Sequence, residues 1–148
     1  MSFALGIAGV GGVGAAVVIY GAIFGPNLLQ SSNIVTSLAN ADTGLCLESS
    51  SAQVYTNNCN GNPNQKWTLS SGTTLTKVGT KLCLQSDDRK HVSVEDCSDS
   101  SYQKWAYVGG NSGNTLRNLA TDFCLDSSRD QRVFTSACTG GTSQKWRQ

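Results

Sequence analysis

Three copies of one tripeptide decide the fold of this 148-residue chain: Gln65-Lys66-Trp67, Gln103-Lys104-Trp105 and Gln144-Lys145-Trp146. The tryptophans lie 38 and 41 residues apart (105 − 67 and 146 − 105). Self-similarity at a nearly fixed period is typical of architectures in which each repeat contributes equivalent elements to one core. The sequence therefore predicts three structural repeats, at about 33–72, 73–113 and 114–148.

Each repeat also contains two cysteines in the same phase, namely Cys46 and Cys59, Cys83 and Cys97, and Cys124 and Cys138. Six cysteines allow fifteen pairings, and pairing within each repeat respects the internal symmetry and closes three loops of similar length. A zinc site is the alternative, but the chain has no Cys-x-x-Cys motif and a single histidine. Disulfides form in oxidising spaces, so the repeats are predicted to lie outside the cytosol.

Short alternating strands separated by turn residues are predicted throughout the repeats, with no helical periodicity after Pro26. In the first repeat they fall near 34–38, 45–48, 53–56 and 66–70. Four strands in each of three repeats predict an all-β domain of twelve strands. Alignment by hand matches Asn33-Ile34-Val35 with Thr74-Leu75-Thr76 and with Thr115-Leu116-Arg117. This alignment predicts that Ile34 is the first-repeat equivalent of the two leucines.

The N-terminal part of the chain differs sharply from the repeats, because the first 41 residues contain no charged side chain. The 22 residues from Phe3 to Phe24 are apolar or small, and as a helix they would span about 33 Å, enough to cross a bilayer core. A cleaved signal peptide is the alternative, with Ala39-Asn40-Ala41 as the cleavage site. The absence of a basic n-region and the distance to that site favour a retained anchor. We therefore predict a transmembrane helix within 1–26 and a linker at 27–32.

Small residues line one face of this predicted helix, and at such spacing they allow close approach of another helix in lipid. These residues are Ala8, Gly11, Gly12, Ala15 and Ala16. The helix is therefore predicted to contact membrane lipid and other transmembrane helices, either a copy of itself or a larger membrane complex. The alternative is that glycine is merely common in membrane helices.

The three Gln-x-Trp motifs, each after an in-phase cysteine pair, resemble the ricin B-type lectin family over residues 32–148. The resemblance implies a β-trefoil with pseudo-threefold symmetry, here preceded by the predicted helix. It also implies that Trp67, Trp105 and Trp146 pack in the core around the axis, as an aromatic ring repeated in three equivalent places would.

Sugar binding in that family uses an acidic residue two after the first cysteine, an aromatic platform two before the second, and polar groups at the Gln-x-Trp motif. A carboxylate accepts hydrogen bonds from sugar hydroxyls, and a ring stacks on the C–H face of the sugar. No repeat has an aromatic residue at the platform position, but Tyr55 and Phe134 lie two residues earlier, on the same strand face. The first and third repeats thus supply the candidate sugar-binding residues: Glu48, Tyr55, Asn57, Asn64, Gln65, Asp126, Phe134 and Gln144. The second repeat, with Gln85, Glu95 and Tyr102, is predicted to be inactive.

Two functions follow from these features. The first is a membrane-tethered, non-catalytic lectin-like module that binds a glycan. The second is a structural accessory subunit of a membrane complex or filament, which the degenerate sugar positions and the glycine-rich helix favour. One histidine offers no catalytic triad or metal cluster, so neither an enzyme nor a cofactor is predicted. A net charge of +1 without a basic cluster disfavours nucleic acid as a partner.

Overall fold

The computed structural model describes residues 33–70, 73–110 and 112–148, together with two short strands in the N-terminal segment. Contacts between Cα atoms divide the chain into two units, Met1–Ser32 and Asn33–Gln148, which are described separately.

In the first unit, β1 (Val17–Ile19) and β2 (Ala22–Phe24) form an antiparallel pair. At these six residues the structure has strand where the sequence predicted helix, and the β-branched run from Val17 to Ile19 favours strand. The rest of the predicted helix, with its five small packing residues, lies outside the described residues, as does the predicted linker. No helix among the residues described is long and apolar enough to cross a membrane.

The described residues of the second unit form an all-β domain of thirteen strands. Those of the first repeat are β3 (Ile34–Thr36), β4 (Ala39–Asn40), β5 (Cys46–Ser50), β6 (Gln53–Asn57) and β7 (Trp67–Ser70). The second repeat contains β8 (Thr74–Lys77), β9 (Leu82–Ser86), β10 (Val92–Asp96) and β11 (Trp105–Val108). The third contains β12 (Thr115–Asn118), β13 (Cys124–Ser127), β14 (Val133–Ser136) and β15 (Trp146–Arg147). A single 3-10 turn precedes each tryptophan, at Pro63–Gln65, Ser101–Gln103 and Thr142–Gln144.

The repeats join through the hairpins β5–β6, β9–β10 and β13–β14, whose inner strands meet around the pseudo-threefold axis. The backbone N–H of each inner strand donates to the tip of the neighbouring hairpin: Val94 to Ala52 (3.3 Å), Thr135 to Lys90 (3.0 Å) and Thr56 to Gln131 (2.9 Å). These three bonds run from repeat to repeat in a cycle and join the hairpins of all three repeats. This cyclic arrangement is the β-trefoil.

Trp67, Trp105 and Trp146 are fully buried at equivalent places in the core. Each indole N–H donates to a backbone carbonyl of its own repeat, at Leu47 (3.0 Å), Leu84 (2.9 Å) and Leu125 (3.0 Å). A buried tryptophan needs such a partner, and each of these carbonyls directly follows the first cysteine of its repeat. The tryptophans therefore fix the first hairpin strand of every repeat against the core.

The structure corrects the predicted alignment at the start of the first repeat. The first-repeat equivalent of Leu75 and Leu116 is Leu38, not Ile34. All three leucines are fully buried, and each lies eight residues before the first cysteine of its repeat. Ile34 is 48% exposed and pairs with Leu69 in a short extension along β7. Of the strand predicted at 34–38, only β3 (Ile34–Thr36) forms; β4 (Ala39–Asn40) is the equivalent of β8 and β12, so β3 is the thirteenth strand.

The six cysteines are paired within the repeats, as Cys46–Cys59, Cys83–Cys97 and Cys124–Cys138. Each bond ties the first strand of a hairpin to the loop that follows its second strand. The glutamine of each tripeptide bonds the backbone at or next to this loop. The disulfides therefore hold the first strand of each hairpin close to the residues that the glutamine contacts.

Candidate functional site

Each repeat brings a polar side chain two residues after its first cysteine against the glutamine of its tripeptide. Gln65 Nε2 donates to Glu48 Oε2 (2.8 Å) in the first repeat, and Gln144 Nε2 donates to Asp126 Oδ2 (3.0 Å) in the third. In the second repeat the acceptor is the neutral Gln85 Oε1, 3.0 Å from Gln103 Nε2. The structure thus has three equivalent positions, and two of them carry a carboxylate.

The three glutamines are buried beneath these positions, with at most 1% of each residue exposed. Each amide also bonds the backbone of the loop after the hairpin: in the third repeat Nε2 donates to Ala137 O (2.9 Å) and Oε1 accepts from Thr139 N (2.8 Å). Gln65 and Gln103 make the equivalent pairs of backbone bonds. The sequence placed Gln65 and Gln144 among the sugar-binding candidates. In the structure they are buried and orient the carboxylates of Glu48 and Asp126.

The carboxylate of the first repeat is closed off. Glu48 Oε1 accepts from the Tyr55 hydroxyl (2.9 Å), its other oxygen accepts from Gln65, and the residue is only 8% exposed. Burial, together with the hydrogen bond to Glu48, raises the pKa of Tyr55, so this hydroxyl stays protonated and continues to donate. Both oxygens of Glu48 are thus engaged within the protein.

The carboxylate of the third repeat is open. Asp126 Oδ2 accepts from Ser136 Oγ (2.6 Å) and from Gln144, whereas Oδ1 has no partner among the described residues. Phe134 lies directly opposite Asp126 in the β13–β14 ladder and, like Asp126, is half-buried. Because its ring has no hydroxyl, Phe134 cannot engage the acid as Tyr55 engages Glu48. A fixed carboxylate with one unpaired oxygen therefore lies beside an aromatic ring.

Ser136 was not among the residues that the sequence indicated, because it occupies the position where the family has its aromatic platform. In the structure its hydroxyl lies between the acid and the glutamine: one N–H of Gln144 Nε2 bonds Ala137 O, and the other is shared between Asp126 Oδ2 (3.0 Å) and Ser136 Oγ (2.7 Å). Its position in the sequence, two residues before the second cysteine of the repeat, is the feature that could have identified it.

The remaining predicted residues lie apart from these networks. Asn57 is half-buried opposite Cys46, and its Oδ1 accepts from the N–H of Asn58 (2.8 Å). Asn64 is exposed in the 3-10 turn before Trp67.

In the second repeat, Ser93 occupies the ring position opposite Gln85, and its hydroxyl bonds the exposed Glu95 (3.3 Å). Tyr102 donates to Asp88 (2.9 Å), and this hydrogen bond raises the pKa of Tyr102. The second repeat thus has neither a carboxylate nor a ring at the two positions that carry them in the third.

Comparisons with known proteins identify the family and the fold. The family model of the ricin-type beta-trefoil lectin domain matches residues 34–146, so the chain belongs to the ricin-type β-trefoil lectin family. Among curated proteins, none matches the sequence.

Solved structures with the same fold include a designed protein and two plant proteins. A designed threefold-symmetric protein, ThreeFoil, has a TM-score of 0.68 at 22% identity over 76% of this chain and 96% of its own. A non-toxic homologue of type II RIPs from bitter gourd (Momordica charantia), in complex with alpha-methyl-D-galactoside, has a TM-score of 0.67 at 24% identity over 77% of this chain and 47% of its own. The agglutinin from Abrus precatorius has a TM-score of 0.66 at 24% identity over 79% and 47%. The chain thus spans just under half the length of the two plant proteins, and at these identities the likeness is one of fold.

Proposed function

We propose that residues 33–148 form a non-catalytic carbohydrate-binding module whose working site lies in the third repeat, around Asp126. The observation that carries this proposal is the unpaired Oδ1 of a carboxylate that Ser136 and Gln144 hold in place beside Phe134. A carboxylate oxygen accepts strong hydrogen bonds from sugar hydroxyls, and an aromatic ring packs on the apolar face of a pyranose. Membership of a lectin family supports the same ligand class.

The other two repeats lack this combination. To bind a sugar, Glu48 would have to give up its bond to Tyr55 or Gln65 in a nearly closed environment, and an unsatisfied buried donor costs about 1–3 kcal/mol. Gln85 carries no charge, and neutral acceptors form hydrogen bonds about half as strong as those to ionised groups. The third repeat is therefore the favoured site of the three.

We expect Asp126→Asn to weaken glycan binding about 10- to 100-fold, because hydrogen bonds to charged groups contribute about 1.5–3 kcal/mol. The amide oxygen can still accept from Gln144, but the group facing the sugar becomes an NH₂ donor in place of a carboxylate acceptor. Binding is measured with the full chain displayed multivalently on a glycan array, followed by calorimetry with the sugars that bind.

Glu48→Gln is the matched control, since it makes the same chemical change at the equivalent position of the first repeat. It should leave glycan binding within about twofold of the unmodified chain. A loss of binding in Glu48→Gln with none in Asp126→Asn would move the site to the first repeat. A blank array from folded, oxidised protein would contradict the lectin function.

We also propose that the segment 1–26 attaches this module to a membrane. Support comes from sequence alone, in the uncharged apolar run from Phe3 to Phe24. In cells that express the chain, the full-length protein should stay in the membrane pellet after extraction with alkaline carbonate, and a variant lacking 1–26 should be released. Release of both forms by carbonate would contradict the attachment.

A structural accessory subunit is the second candidate, and the specific observation in its favour is that two of the three sugar positions are closed or neutral. This function predicts a blank glycan array together with stable co-purification of the full chain with a fixed set of membrane proteins. Binding lost in Asp126→Asn would argue against it.

A further inference from the structure

A depression lies on the pseudo-threefold axis, where β6, β10 and β14 converge. It consists of two adjoining cavities of about 460 and 490 Å³ that share Val54, Tyr55, His91 and Val133. Val54, Val92 and Val133 occupy equivalent positions, each five residues before the second cysteine of its repeat, and these buried side chains form the floor of the depression. We refer to these two cavities together as the axial depression.

The lining of the axial depression combines aromatic rings with polar and charged side chains. Tyr55 and Phe134, from the first and third repeats, contribute aromatic surface, and the equivalent position of the second repeat holds the small Ser93. His91 and Arg132 contribute polar groups from exposed positions. Arg132 Nε bonds Asp130 (2.7 Å), which leaves the other guanidinium nitrogens to donate elsewhere. The lining also contains the carboxylates of Glu95 and Asp130 and is polar as well as apolar, a mixture that suits a ligand with many hydroxyl groups. The two volumes fall within the range of about 300–1,000 Å³ that is typical of ligand pockets.

The axial depression adjoins the candidate site of the third repeat through one residue. Phe134 lines the axial depression, and it is also the direct ladder partner of Asp126. Directly opposed residues in an antiparallel pair have their Cβ atoms about 4.5–5.5 Å apart on the same face. In addition, His91 and Phe134 form a β-bridge, so a polar group of the second repeat is placed next to the same ring.

We propose that the ligand is an oligosaccharide, with one sugar bound at Asp126 and the following units passing over Phe134 into the axial depression. Its units there pack on Tyr55 and accept hydrogen bonds from Arg132 and His91. This proposal rests on the proposed function, since it extends the Asp126 site. It differs from three independent monosaccharide sites in making one asymmetric surface out of residues from all three repeats.

The test is calorimetry on the full chain with four sugar series: galactose, glucose, mannose and N-acetylglucosamine, each as mono-, di- and tetrasaccharide. In the series that binds, we expect the tetrasaccharide to bind at least tenfold tighter than the monosaccharide, which corresponds to about two additional net hydrogen bonds. The double variant His91→Ala/Arg132→Ala should lower the tetrasaccharide affinity about tenfold. Arg129→Ala is the control, because Arg129 is an exposed arginine of the same turn that bonds Asp42 and does not line the axial depression.

Every outcome decides between the two proposals. A monosaccharide that binds through Asp126, with no gain from added units, would overturn the oligosaccharide proposal and leave the proposed function standing. A gain with length that the double variant retains, or that Arg129→Ala also removes, would overturn it as well. If the glycan array is blank and no member of any series binds, the proposed function itself fails and this proposal fails with it.

Discussion

Reduction of the three disulfides is expected to unfold residues 33–148. The bonds close loops with sequence separations of 13, 14 and 14 residues, and in the chain-entropy model a loop of this length contributes about 3 kcal/mol. Three such contributions, about 9 kcal/mol in total, are comparable with the whole stability of a small domain, about 5–15 kcal/mol. The hydrophobic core alone is therefore expected to be insufficient to hold the fold.

Unfolding on reduction can be followed by tryptophan fluorescence, because Trp67, Trp105 and Trp146 are all fully buried in the folded domain. We expect a red shift of emission and the loss of cooperative thermal unfolding once six thiols can be titrated. Reductant has access to the bonds, since Cys59, Cys97 and Cys138 are exposed residues.

Removal of one bond at a time is the graded control. The double variant Cys83→Ala/Cys97→Ala should lose about 2–5 kcal/mol of unfolding free energy and still fold. A fully reduced chain that keeps its melting temperature within a few degrees would contradict the expectation. The three disulfides fit an oxidising extracellular environment. If the domain unfolds on reduction, such an environment is also necessary for its stability.

The fold could be predicted from the sequence because its determinants repeat three times. A tryptophan at a fixed distance after each cysteine pair requires the same pocket in each repeat, and the structure provides it with the carbonyls of Leu47, Leu84 and Leu125. A pattern present in three copies is hard to misread, even where single strands are short.

The difference between the two acidic positions could not be predicted in the same way. Glu48 and Asp126 occupy equivalent positions. Whether both oxygens of the carboxylate are hydrogen-bonded within the protein depends on whether the opposed aromatic residue carries a hydroxyl. Tyr55 bonds Glu48 and closes it, whereas Phe134 leaves Asp126 Oδ1 unpaired. The axial depression was also missed, because its residues are brought together from three repeats only by folding.

The start of the first repeat was misaligned because the sequence offered two apolar residues for one core position. Ile34 and Leu38 are both large and aliphatic, and a β-branched isoleucine next to a valine is typical of a strand. The pairing of β4 with β15 decides between them, because it pairs Asn40 with Trp146. In the other two repeats the equivalent pairs are Lys77 with Trp67 and Asn118 with Trp105. This long-range pairing places Leu38, two residues before Asn40, in the core.

Leu38→Ala and Ile34→Ala are therefore expected to differ strongly in their effect on stability. Truncation of a fully buried leucine costs about 2–5 kcal/mol, because the lost transfer free energy is joined by the cost of the cavity left behind. Ile34 is 48% exposed, so its truncation removes little buried surface and should cost less than about 1 kcal/mol. Chemical denaturation of the oxidised protein, with the slope of the transition checked for two-state behaviour, measures both values.

Leu75→Ala and Leu116→Ala provide the matched comparison, since they remove the same side chain from the equivalent positions of the second and third repeats. If Leu38 occupies the third equivalent position, the three leucine variants should lose similar amounts of unfolding free energy, each well above the loss in Ile34→Ala. A large loss in Ile34→Ala with a small one in Leu38→Ala would restore the alignment read from the sequence.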